Sequence, residues 1–337
     1  MAFAGRLCSL LIIATAAIAC GSAPQAAGAT ATPPTAPPAA IGPRPEPAEP
    51  ASTPVHVRFH NVHLRVGEGI AVDIRDLDGA LLSTTPGKPP IFDDQRSFLL
   101  RVDAGTIAIS PSSLTRILNE RVFASKQSSI TDVNVSIADG RLVQKGTLRK
   151  GLRIPFTIVA ELSAAPDGRI RIHPTSVKAA GIPTSGLLKL LGLEVADLVK
   201  SDRSAGLEVS GNDLLLSPDR LLPEPAIRGR LRSIRIDGDR IVQTFGSNLP
   251  PGPAGITGNY MQYRGGMLRF GKLTMSDADM TLVDVDPRDP FDFWPARYVQ
   301  QLVAGYSKND ASGGLRVYMP DYDQSPRASL RPLAVLD

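Results

Sequence analysis

Beyond residue 20 the chain contains no cysteine; its two, Cys8 and Cys20, lie within the first twenty of 337 residues. Disulfides, cysteine-ligated metals and thiol catalysis are thereby excluded from the rest of the protein. Aromatic residues make up only 5% of the chain, which leaves little for a platform on which bases or sugars stack. The 37 Lys and Arg against 33 Asp and Glu are scattered and form no dense run, so no nucleic-acid partner is expected. No apolar run is long enough to cross a bilayer: the one at the start, Leu7 to Ala19, has about 13 residues where about 20 are needed. The sequence also lacks G-x-S-x-G, H-E-x-x-H, a P-loop and G-x-G-x-x-G. A non-catalytic protein without cofactor or metal is expected.

What is present begins with Arg6, the short apolar run and a series of small residues, the shape of a secretory signal. It ends in Ala17-Ile18-Ala19-Cys20-Gly21-Ser22, which resembles the bacterial lipobox. Cys20 is the expected lipidation site, and several acyl chains on one residue anchor stably where a single chain does not. Residues 1–20 thus read as a lipoprotein signal peptide. The protein is expected to be exported and lipid-anchored to a cell-envelope membrane, on its periplasmic or extracellular face. Residues 21–53 are Ala, Pro, Gly, Thr and Ser with few bulky side chains, a composition that cannot bury enough apolar surface to fold. At about 3.1 Å per residue such a tether reaches roughly 100 Å. Residues 54–337 are expected to form a single β-rich domain.

From Val55 the pattern is alternation: Val55, Val57 and Phe59 share one face, His56, Arg58 and His60 the other. That is a half-buried strand. Similar strands are expected around Ile70–Ile74, Phe98–Val102, Ile107–Ile109, Val133–Ile137, Leu142–Leu148, Ile154–Leu162 and Ile170–Ile172. Further along they are expected at Leu207–Val209, Leu214–Leu216, Ile227–Ile236, Ile241–Phe245, Met267–Met275 and Met280–Val285. Turns at Asp139-Gly140 and Asp237-Gly238-Asp239 mark antiparallel hairpins. Three helices interrupt the strands. One runs from Pro111 to Phe123, capped by Ser110. A second, from Thr184 to Lys200, is apolar over most of its surface. The third runs from Pro295 to Ala304, anchored by Trp294, Tyr298, Val299 and Leu302. The fold class is α+β, with a long curved antiparallel sheet wrapped around helices.

The order of elements between Ile109 and Gly246 resembles the DUF2993 family of LmeA-like phospholipid-binding proteins. The helix Ser112-Ser-Leu-Thr-Arg-Ile-Leu-Asn-Glu-Arg121 comes first, then Gly140-Arg-Leu-Val-Gln-Lys-Gly146 before Ile154-Pro155-Phe156. Asp167-Gly168-Arg-Ile-Arg-Ile172 leads to Gly181-Ile182-Pro183 and the leucine-rich helix. Leu222-Pro223-Glu-Pro225 precedes a last hairpin ending in Phe245-Gly246. The resemblance covers about two fifths of the chain. It implies a super-roll, TULIP-like fold enclosing an apolar groove for lipid tails, with no catalytic residues. Leu187, Leu188, Leu191, Val195 and Leu198 are the candidate groove lining, and a phospholipid or other acyl chain the candidate ligand. The alternative is an envelope scaffold or assembly lipoprotein that binds a protein partner.

Other constellations carry less. His56, His60 and His63 are three of four histidines, but His56 and His60 stand about 13 Å apart along a strand, too far for a common metal; they read as surface histidines. The acids from Asp277 to Asp292 lack the spacing and glycine of a calcium loop and read as solvated or capping groups, with Asp292 a candidate cap for the third helix. The aromatic stretch from Phe291 to Tyr298 reads as a plug closing one end of the sheet.

Overall fold

The computed structural model describes residues 53–124, 128–150, 152–180, 182–183, 207–210, 212–217, 224–252 and 255–325. All fall within one compact unit, Glu49–Asp337. The described chain is mostly β-sheet with few, short helices. It opens with β1 (Val55–Gly67), β2 (Ile70–Ser83) and β3 (Phe98–Ile109), then α1 (Pro111–Ile117), which widens into a π-turn over Leu118–Val122. Next come β4 (Ile130–Ala138), β5 (Arg141–Lys150), β6 (Leu152–Ala164), β7 (Ile170–Ala179), β8 (Ile182–Pro183), β9 (Leu207–Ser210) and β10 (Asp213–Leu216). The chain continues through β11 (Ala226–Gly229), β12 (Leu231–Asp237), β13 (Arg240–Phe245), β14 (Tyr260–Arg264), β15 (Leu268–Phe270), β16 (Leu273–Met275), β17 (Asp279–Asp284) and β18 (Phe291–Phe293). A 3₁₀ turn, Pro295–Arg297, leads into α2 (Tyr298–Ala304), β19 (Tyr306–Asn309) and β20 (Leu315–Met319).

The single antiparallel sheet expected from sequence is instead two large open sheets and a small hairpin. The first has 11 strands, in the order β12-β13-β3-β2-β1-β14-β17-β20-β19, with β11 also on β3 and β18 also on β1. The second has 7, in the order β4-β5-β6-β7-β10-β9, with β8 on β7; β15 and β16 pair with each other. Three pairings are parallel: β1–β18, β3–β11 and β17–β20. The reason lies in the path. Between β3 and β11 the chain builds the second sheet, which supplies the long crossover that a parallel pair requires.

β1 and β2 show how one sheet keeps a dry face along two long strands. The buried apolar residues of β1 are Val55, Val57 and Phe59, then Val62, Leu64 and Val66. The large ones of β2 are Ile70, Val72 and Ile74, then Leu77 and Leu81, with the small Ala80 also buried. Both series change phase once. The register stays unbroken from His60↔Asp76 to Val62↔Ile74, so the two strands turn over together. Asn61 makes the turn with φ of 51°, a left-handed conformation that asparagine tolerates better than most residues. The partner on the far side of β1 changes at the same level, from β14 at His56–His60 to β18 at Val62–Leu64.

Several expected elements are corrected. Ile227–Ile236 is two strands, β11 and β12, which pair with different neighbours. Met267–Met275 is the tight β15–β16 hairpin. In α2 the inward residues are Tyr298 and Gln301, while Val299 is exposed. Helical geometry explains this: 298 and 301 share a face, and 299 lies about 100° away. The helix from Thr184 to Lys200 lies outside the described residues.

The end of the first sheet near α2 closes on aromatic and polar groups. Phe291 and Phe293 are fully buried, and Trp294 and Tyr298 nearly so. Gln301 donates to the carbonyls of Asp292 and Pro320 and accepts from Trp294 N–H. Asp284 and Asp292 are not solvated: both are buried. Asp292 does not cap the helix; it takes a bidentate pair of hydrogen bonds from Arg65 at 2.6 Å each. Asp321, also buried, accepts from Asp292 N–H at 2.7 Å. Burial pushes the Asp321 carboxyl up to about 7, opposed by that N–H and reinforced by the charges of Asp284, Asp289 and Asp292. A carboxyl whose pKa is higher folded than unfolded holds its proton more tightly in the folded state. Its stabilisation is complete below about pH 4 and is lost as pH rises through about 7. Asp321→Asn, which keeps an acceptor for Asp292 N–H, is therefore expected to flatten the fall in melting temperature between about pH 5 and 8. At pH 8 it should melt higher, by roughly 2–4 °C per kcal/mol recovered. Calorimetry across that range checks this; an unchanged slope would refute the assignment.

Candidate functional site: an apolar hollow between the sheets

α1 starts cleanly. Ser110 caps it, its hydroxyl accepting from Ser113 N–H at 3.1 Å, and Pro111 occupies the first turn. Its polar side chains then bind the backbones of both sheets. Ser113 Oγ accepts from Ala71 N–H of β2 at 3.2 Å. Thr115 Oγ1 accepts from Val135 N–H of β4 at 2.9 Å. The Asn119 amide donates to Val133 O at 2.7 Å and accepts from Val133 N–H at 3.1 Å. The helix thus stitches the edge of the second sheet to the first, while its apolar face turns between them.

Between the sheets lies a hollow of about 70 Å³. The first sheet contributes Val72, Ile107, Ile109, Ile234, Ile241 and Phe245 to its wall. The second contributes Leu142, Leu162, Ile170, Ile172 and Leu216, and α1 contributes Leu114 and Ile117. Gln243 is the one polar side chain among the described lining residues, and none of these is ionisable. A space this size has room for several waters by volume, since one needs about 10–15 Å³. A buried water also needs 2–4 polar partners, which this wall does not supply. The hollow is therefore suited to hydrocarbon. It is about half the roughly 150 Å³ of an engineered aliphatic cavity that takes benzene.

The residues proposed from sequence as groove lining, Leu187, Leu188, Leu191, Val195 and Leu198, lie outside the described residues, as does Cys20. The described lining residues sit on α1 and on strands, most of which show readable alternation. What the alternation could not reveal was that their inward faces meet across a gap.

The outer face of the first sheet carries a ladder of ion pairs. Arg58, His60 and His63 of β1 stand directly opposite Asp78, Asp76 and Asp73 of β2. His60 meets Asp76 at 2.8 Å and His63 meets Asp73 at 2.5 Å, with His56 reaching Asp78 diagonally at 3.6 Å. Burial raises the Asp73 carboxyl, but hydrogen bonds and charge from His63 and Arg240 outweigh it and hold the group below the usual range. His173 likewise pairs with Asp213, at 2.6 Å. Each of the four histidines thus has an aspartate partner. Among the described residues no His, Asp and Glu gather in threes as metal ligands, and no hydroxyl bonds to these imidazoles. The ladder reads as cross-strand pairing.

No protein-family model, curated protein or solved structure matches the chain.

Because the hollow leaves space, enlarging a lining side chain is cheaper there than elsewhere in the core. Ile170→Phe, at the hollow, is expected to cost less than about 1.5 kcal/mol. Leu282→Phe, fully buried on β17, a strand with no residue in the described lining, is expected to cost about 1–3 kcal/mol. Urea unfolding of the two variants measures the difference; equal penalties would mean that the interior is filled.

Proposed function

We propose that the chain is a membrane-tethered extracytoplasmic lipoprotein, lipidated at Cys20, that binds an acyl chain of a phospholipid or other lipid between its two sheets. It acts without catalysis. The observation that carries this reading is the hollow's wall, apolar at every described lining residue except Gln243. The order of elements that resembles LmeA-like proteins points the same way, and implies that the sheets facing each other across α1 are the two sides of a super-roll.

Size limits what the closed hollow holds. At about 30 Å³ per small group, 70 Å³ takes two or three methylenes. At about 0.8 kcal/mol each they contribute roughly 2 kcal/mol, well short of the 4.1 kcal/mol of even a millimolar complex. A whole tail therefore enters only if the second sheet rides outward, and its own buried area offsets the cost of opening. The same small volume favours the alternative, an envelope scaffold whose interior stays closed and whose surface meets a protein partner.

Native mass spectrometry of the purified protein separates the two readings. Lipid binding predicts co-purifying phospholipid at one per chain. Ile170→Phe should remove it, and Gln243→Leu, which makes the wall wholly apolar, should retain it. A chain that is lipid-free and does not respond to added lipid would leave the scaffold reading.

A further inference from the structure

We propose that a second surface, formed by α2, the tip of the β15–β16 hairpin and β19, lies against an anionic lipid bilayer. This surface is remote from the hollow and independent of it. The hollow is built at the β12–β13–β3 end of the first sheet's strand order, whereas α2 packs on β20, at the other end.

Four large apolar side chains stand out here: Val303 at 80% exposure, Val299 at 53%, Tyr306 at 50% and Leu273 at 48%. Val299 and Val303 are four residues apart on a helix and form one stripe. The hairpin tip adjoins the helix start, because Phe270 packs on Tyr298 with ring centroids 5.0 Å apart and Gly271 faces the Tyr298 hydroxyl. Tyr306, just after the helix, stacks on Tyr318 at 4.7 Å. Beneath, Phe92, Phe270, Phe293 and Tyr298 form an interlocked cluster, so the patch rests on a rigid base.

Charge identifies the occupant. Segments 264–275 and 293–309 contain Arg264, Arg269, Lys272, Arg297 and Lys308 and no Asp or Glu, in a chain whose charges otherwise nearly balance. Arg264 pairs with Asp279; the other four form no ion pair among the described residues. Exposed aliphatic side chains ringed by free cations and tyrosine match the headgroup boundary of an anionic membrane, where each cation contributes about 1 kcal/mol. Addition of a partner's strand to β19 is disfavoured, since Lys308 lies over both tyrosines of the edge and a lysine there blunts sheet extension.

The chain's single tryptophan, Trp294, lies beneath Arg297 at 4.7 Å and reports on this surface. Full-length protein is reconstituted into vesicles of equimolar phosphatidylglycerol and phosphatidylcholine with brominated chains, and Trp294 emission is compared with that in unbrominated vesicles. Docking predicts quenching. The quenching should be lost in Val299→Asp/Val303→Asp and in Lys272→Glu/Arg297→Glu, whose exposed positions leave the melting temperature unchanged. It should also be lost in vesicles of phosphatidylcholine alone, and retained in Ile170→Phe, where only the hollow is altered. Emission indifferent to bromine in the anionic vesicles overturns the proposal and leaves the patch to a protein partner. Equal quenching of the Val299→Asp/Val303→Asp chain also overturns it.

Discussion

The structure depends on one short helix whose polar side chains replace backbone partners for two sheets. Ser113 receives an N–H from β2, while Thr115 and Asn119 bond to β4. Each of these groups is partly or wholly shielded, so a lost partner costs about 1–3 kcal/mol of desolvation. These hydrogen bonds fix the spacing of the sheets at the α1 margin. Elsewhere the two sheets meet through side chains, β12 against β6 among them, in one contiguous apolar core. The hollow is where that packing is incomplete, with Leu114 and Ile117 of α1 in its wall.

Much of this was legible in the sequence, and the limits of legibility have physical causes. Alternation marked β1, β4, β5, β6 and β13 because each keeps one face partly wet. Asp139 and Gly140 both take positive φ, as does Gly238, which is what tight hairpins demand. Ser110-Pro111 announced α1. By contrast, β14 is buried on four of its five positions, so its sequence does not alternate and gave no strand signal, whereas the equally buried β17 stood out as a short apolar run. β11 and β12 read as one strand because a change of partner leaves no mark on hydrophobic periodicity. The site was the least legible part. Periodicity tells which side chains face inward, not whether the inward volumes add up to fill the space. The described lining is rich in isoleucine from strands, side chains that alternation alone cannot tell from those of a filled core.

The two faces of the first sheet show opposite ways of fixing a register. Inside, Asn61 lets β1 and β2 turn over together, so that apolar side chains stay inward on both halves. Outside, the same turn brings His63 into line with Asp73 after His60 has met Asp76. A slip of one residue would part all these pairs and turn the valines outward. The exposed pairs add little stability individually; together they favour the alignment in which all of them form at once.

A domain without cysteines must restrict its motion by means other than disulfides, and it does so unevenly. At the α2 end, Gln301 has all its amide partners, Arg65 grips Asp292 with both nitrogens, and five aromatic rings pack edge to face or tilted. Burying carboxylates as Asp284, Asp292 and Asp321 are buried costs free energy that apolar residues would not, so that end gains specificity of shape at the expense of stability. At the α1 end the wall is aliphatic and carries no such network, and the hollow makes each lining contact weaker than a filled core would. Opening is therefore cheapest where the proposed ligand enters and most costly where the domain presents its basic, apolar surface. Under the proposed function, such a division would let one end yield to a lipid tail while the other stays fixed.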